Sequence, residues 1–175
     1  MPNKLIYFLS QSHIRSSIAE AWAKKLQLSG VTFISGSWLK ARETHFVSDA
    51  LHEFAIEPPN SLSHVPSQKL LDKADLIVTI YDSAYELAPR FPNSLDYKVI
   101  YWDIKDPEHA SELGTKWAVY QEACDQIALA VKQLKKTFYR SLIYTLRTRS
   151  ERFLSWREKQ WKAIKILKKA KEQHF

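Results

Sequence analysis

The chain has 175 residues, 45% hydrophobic and 26% charged, a composition ordinary for a globular protein and long enough for one domain with an appendage. Its single cysteine, Cys124, excludes an internal disulfide and a cysteine-built zinc site. Only a short apolar run follows Lys4, so no signal peptide is read, and no stretch is apolar for long enough to span a bilayer; the expected location is cytoplasmic.

In chain order, residues 4–9 are an apolar run that predicts a first strand, ending abruptly in small polar residues. Residues 16–28 predict a helix with Ile18, Trp22 and Leu26 on one face, and Gly30 is the expected stop. Residues 31–35 predict a second short strand, closed by Gly36. A helical pattern over residues 44–54 runs through Phe46, Val47, Ala50, Leu51 and Phe54, with Pro58 and Pro59 as its stop. The β-branched run at residues 76–80 predicts a strand buried on both faces, and residues 98–102 predict a fourth. Strands alternating with helices give the expected fold class: α/β, a four-stranded parallel sheet flanked by helices. Ligands of such sheets sit beyond the carboxyl ends of the strands, where Ser10, Tyr81 and residues 103–106 fall.

After Pro107 there is no proline and after Gly114 no glycine, so the chain from about Leu113 reads as nearly continuous helix, with a break expected around residues 137–148. The net charge of +7 hides a split. Residues 132–175 hold 14 Lys/Arg against 3 Asp/Glu, whereas residues 1–131 hold 12 against 16. Two pieces are therefore expected: a domain over residues 1–135 and a basic amphipathic helical extension over residues 136–175. In the extension Leu134, Phe138, Leu142 and Leu146 recur every four residues. Such a segment packs on a protein or a second copy, lies on anionic lipid, or binds nucleic-acid phosphates; it carries no recognisable DNA-binding motif.

The chemistry concentrates where the first strand meets the first helix. The first amides of a helix lack internal partners, and the macrodipole favours negative charge there. Ser10, Gln11, Ser12, His13, Ile14, Arg15 and Ser16 form a candidate anion cradle, with Arg15 as a bidentate fork for phosphate-like oxygens. The loop has neither cysteine nor glycine. It is built for covalent phosphate chemistry without the nucleophile. His45, His52 and His64 are unclustered, no metal spacing is present, and no cofactor is expected.

These residues resemble the low-molecular-weight tyrosine phosphatases, and more closely their thioredoxin-coupled arsenate reductase branch, over roughly residues 4–135. The resemblance is carried by Arg15-Ser16-Ser17-Ile18-Ala19-Glu20, by Ala74-Asp75-Leu76-Ile77-Val78-Thr79-Ile80 and by Asp106-Pro107 followed by Lys116-Trp117-Ala118. It implies Arg15 as the oxyanion clamp, Ser16 as the loop-closing hydroxyl and Asp106 as the general acid. The family's loop cysteine falls on Ser10, or on Leu9 when five residues are counted back from Arg15, so the loop is one residue short. The two further cysteines of the reductase branch fall at Tyr81 and Ala88. Without them a disulfide relay cannot run.

Ser10 needs an adjacent base to act as nucleophile, and His13 is the only local candidate. Arg15 and Asp106 also have structural readings, as a tie between loop and helix and as a turn or N-cap residue. Cys124 reads as a small packed residue. The expected protein is a non-catalytic member of the family that binds an oxyanion or a phosphorylated partner through Ser10–Arg15 and another surface through its basic end. Two alternatives stand beside it: residual phosphatase activity through Ser10 or water with Asp106 as acid, and a scaffold with a vestigial pocket.

Overall fold

A computed structural model describes residues 3–40, 44–59 and 63–136. The chain divides into two compact units, Met1–Lys132 and Gln133–Phe175, and nearly all the described residues belong to the first. The basic extension and the break expected at residues 137–148 lie outside the described residues.

The order of elements is β1 (Lys4–Ser10), α1 (His13–Lys25), β2 (Val31–Ser37), α2 (His45–His52), α3 (Gln68–Lys73), β3 (Leu76–Tyr81), a 3₁₀ turn (Asn93–Lys98), β4 (Val99–Asp103) and a second 3₁₀ turn (Pro107–His109). A further helix, α4, covers residues 113–136. The four strands form one parallel sheet in the order β2-β1-β3-β4, as expected, with helices flanking it. Central β1 is buried from Ile6 to Ser10 because it is paired on both edges and covered on both faces.

Strand alternation divides the core. Tyr7 and Leu9 point to one face, where they pack with Leu71, Ala74, Ile77 and Leu95. Phe8 points to the other, stacking on Phe33 at 6.2 Å and tilting against Trp102 at 5.9 Å between ring centroids. The same alternation points Leu9 into the core, and Ser10 ends the strand where the loop begins.

Several predicted boundaries move. Helix α1 begins at His13 rather than at residue 16, so Arg15 lies within its first turn instead of ahead of it. It ends at Lys25 with Leu26 as C-cap, and Gln27 takes a left-handed conformation (φ 47°), so the chain turns before Gly30 is reached. Ala55 (φ 51°) likewise turns the chain after α2, ahead of Pro58 and Pro59. Strand β2 continues through Gly36 to Ser37, and β4 starts one residue later than predicted because Lys98 belongs to the 3₁₀ turn. Helix α3 escaped the sequence reading. Its last carbonyls are held by the buried Lys98 ammonium, which donates to the Asp72 and Ala74 oxygens at 2.9 Å each.

Cys124 is buried in α4, and burial first, then the charges of Asp125 and Glu53, push its thiol up to about 12. Among the described residues no helix is long and apolar enough to cross a membrane.

Gly36 fixes the end of β2. A Cβ there would overlap the His64 carbonyl oxygen and the Tyr7 hydroxyl, which hydrogen-bond each other at 2.5 Å. Gly36→Ala is expected to lower unfolding free energy by about 3 kcal/mol, read by urea denaturation, because backbone rather than a flexible tip must move.

Candidate functional site

The carboxyl ends of β1, β3 and β4 bring the site together. Strand β1 delivers Ser10, a two-residue bend of Gln11 and Ser12 follows, and α1 starts at once. Ser10 is fully buried, and its hydroxyl proton is directed at the Ser12 carbonyl oxygen and at Ser16 Oγ, 2.9 Å away. Its oxygen accepts the Ser16 backbone N–H at 3.1 Å. Ser16 Oγ in turn donates to the Gly36 carbonyl at 2.8 Å. The Ser10 hydroxyl thus fills the turn of the loop and takes one of the amides a cradled anion would use.

Arg15 is fully buried. Its Nη1 donates to the Ile104 carbonyl at 2.8 Å, and its Nη2 donates to Asp106 Oδ2 at 2.9 Å and to Glu86 Oε1. Its Nε has no hydrogen-bond partner among the described residues. Of the fork expected to face an oxyanion, Nη2 therefore meets two carboxylates of the chain itself and Nη1 a backbone carbonyl, which leaves only Nε as an unused donor.

Asp106 is doubly committed. It caps the turn that begins at Pro107 by accepting the Glu108 N–H at 3.0 Å, and it holds Arg15. Behind it stands Asp82, whose carboxylate accepts the Asp106 N–H at 2.9 Å and the Ala84 N–H at 3.1 Å. Burial pushes the Asp82 carboxyl up, but these N–H donors, His109 and the Arg15 charge outweigh it and hold the group below its usual range. Glu86 accepts the Asp82 N–H at 3.2 Å, so three acids and one arginine make a single buried cluster.

His13 does not serve Ser10. Its Nε2 lies 2.7 Å from Ser35 Oγ, and Ser35 donates onward to Glu20. Burial, partly offset by the Glu20 charge and reinforced by His64, lowers the His13 pKa. The remaining loop candidates divide by direction. Gln11 is exposed, Ser12 is the N-cap with its Oγ 3.5 Å from Asp106 Oδ2, and Ile14 is a core side chain. Tyr81 packs edge-on against Tyr101, and Ala88 is exposed. Among the described residues no three His, Cys, Asp or Glu side chains are grouped to hold a metal ion.

The sequence reading missed Glu86 and Asp82. Both follow the carboxyl end of β3, where such sheets place functional groups, so the signal existed. Their pairing with Arg15, 71 residues away for Glu86, is tertiary. Two cavities open beside the cluster. One of about 150 Å³ is bordered by Ser12, Lys40, Asp106 and His109, and one of about 330 Å³ by Trp38, Leu39, Tyr85, Glu86 and Leu87.

Among known proteins, arsenate reductase 1 of Bacillus cereus is 32% identical over 142 residues, covering 77% of this chain and 96% of that protein. The arsenate reductase of Halalkalibacterium halodurans is 32% identical over 148 residues, covering 78% and 99%. The arginine phosphatase YwlE of Geobacillus stearothermophilus shares the fold with a TM-score of 0.67 at 21% identity, over 80% of this chain and 96% of that one. A solved arsenate reductase in the phosphate binding state gives 0.62 at 19% identity, over 75% and 95%. No protein-family model matches the chain.

Removing the arginine should expose the cluster's energetics. Arg15→Ala is expected to cost about 3–5 kcal/mol in chemical denaturation, because buried carboxylates lose their counter-charge. Acid should weaken the fold in two stages. His13, with its folded pKa depressed, favours the neutral form, so its contribution is lost as pH falls from about 6.5 toward the lower folded value. Asp82 contributes above its unfolded pKa of about 4 and loses that contribution as pH falls through its lower folded value. Denaturation from pH 8 to pH 3 checks both stages, and His13→Gln should flatten the first.

Proposed function

We propose that this chain, which belongs to the arsenate reductase and low-molecular-weight tyrosine phosphatase family, is a non-catalytic member that works by binding, its oxyanion site closed by its own carboxylates. One observation carries the reading: the buried Arg15 fork is held by Glu86 and Asp106. The nucleophile side supports it. Among the described residues no base stands beside Ser10, since His13 turns to Ser35, and a hydroxyl without a base is a poor nucleophile at neutral pH. Asp106, as a caged carboxylate accepting from Arg15 and Glu108, is poorly placed to give a proton to a leaving group. Cys124 offers no substitute, because its thiol is buried and its pKa is raised. The basic segment over residues 136–175 supplies a second binding surface in this reading, supported by its charge. A cytoplasmic setting belongs to the same proposal and rests on the single cysteine.

A second reading keeps the loop as a receptor for an oxyanion or phosphorylated partner. The unpartnered Arg15 Nε favours it, as does the description of a structural neighbour as an arsenate reductase in the phosphate binding state. It requires Glu86 to leave Arg15 when the anion arrives.

Purified protein is expected to show no turnover of an aryl phosphate between pH 5 and 8, and no arsenate reduction with a thiol reductant. Turnover abolished by both Ser10→Ala and Asp106→Ala would overturn the main reading. Calorimetric titration with inorganic phosphate separates the two readings. Absence of saturable heat supports the closed site, and saturable binding that tightens in Glu86→Gln supports the receptor.

A further inference from the structure

Closing the site has changed its charge. In an open oxyanion site the arginine faces the ligand as an unpaired cation. Here one guanidinium is shared among Glu86, Asp106 and, through the Asp106 amide, Asp82, so three formal negative charges surround one positive charge. Each carboxylate is nearly buried, and low-dielectric walls focus such a field toward the opening instead of letting water screen it. His109 reaches Asp82 at 3.5 Å, but Lys116 is occupied by Glu108 at 3.1 Å. Lys40 borders only the smaller neighbouring cavity.

The larger cavity, about 330 Å³, shares Glu86 with the cluster. Apart from Gln11, its other walls are aromatic and apolar. Trp38 is braced by Phe91 at 5.7 Å between rings, and Tyr85 tilts against His109 at 4.3 Å yet leaves 70% of its surface to solvent. Leu39 is 57% exposed and Leu87 is 95% exposed, which is unusual for two leucines beside two open aromatic rings. Ring faces attract a cation, and apolar side chains receive the methylene stem that carries one. Glu86, whose oxygens already accept from Arg15 and from the Asp82 N–H, adds negative charge at the inner end for a long basic side chain.

We propose that this cleft binds the lysine or arginine side chain of a basic peptide segment, with its stem along Leu39 and Leu87, its charge between Trp38 and Tyr85, and Glu86 behind them. The reversal of charge selects the ligand: a site that repels phosphate accepts a cation. This proposal rests on Arg15 being held internally.

The full-length protein is titrated by ¹⁵N NMR, with the assigned Trp38 indole resonance as a local probe, so that binding elsewhere on the basic chain does not register. Three probes are compared: a short lysine- and arginine-containing peptide, its glutamate-substituted counterpart and inorganic phosphate. The basic peptide is expected to shift the Trp38 signal saturably and to weaken with added salt, while the acidic peptide leaves it unmoved. Tyr85→Ala, at an exposed position, should weaken binding by about threefold. Glu86→Gln should weaken it by about fivefold, and if that variant fails to fold, Tyr85→Ala alone decides. Equal shifts with both peptides, or unchanged affinity in folded Tyr85→Ala, overturn the proposal. Silence with all three probes overturns the cation site and leaves the closed-site reading standing, whereas a saturable response to phosphate overturns both.

Discussion

The buried ion cluster around Arg15 is the constraint on which the rest of the site depends. A fully buried guanidinium is costly unless every charge on it is met, and here partners come from three places: Glu86 after β3, the Ile104 carbonyl after β4 and Asp106 before Pro107. The arginine itself stands in the first turn of α1. One side chain thus ties the helix to the loops at the ends of two strands. The cluster sets where those loops run, and so where Tyr85, Leu87 and His109 reach the surface.

A second set of contacts fixes the neighbouring edge. Ser10, Ser16 and Gly36 are linked by hydrogen bonds from strand end to helix to the next strand, and Gly36 lies against the His64 carbonyl and Tyr7 hydroxyl without room for a Cβ. Ser35 meets His13 and Glu20 one residue earlier. The Ser10 and Ser16 hydroxyls and the Ser16 amide are used here to close the loop on itself. The two-residue bend after Ser10 makes this possible, because it brings the helix start close enough for the Ser10 hydroxyl to bond Ser16.

Membership of the arsenate reductase family coexists with a buried arginine held by the chain's own carboxylates. The scaffold persists because parallel strands and flanking helices depend on distributed apolar burial, with Tyr7, Leu9 and Ile77 on one side of the sheet and Phe8 on the other. The loop depends instead on a few polar side chains, and there the nearby acids meet the buried arginine.

Much of the fold was legible in the sequence, because strand and helix periodicities are local. The apolar runs at β1 and β3, the parallel α/β class and the placement of Ser10 at the end of β1 and Asp106 after β4 all followed from patterning alone. Helix boundaries were less legible: α1 starts earlier and turns at Gln27, whose left-handed backbone a non-glycine sequence does not advertise. The absence of a loop cysteine and the short spacing to Arg15 belong to the sequence by itself. Which groups Arg15 would face did not, since Glu86 and Asp106 are 71 and 91 residues away and reach it only when β3 and β4 are laid beside β1. Residue type determined that a cation would stand at the strand end. Only tertiary structure decided that the chain's own carboxylates would meet it there.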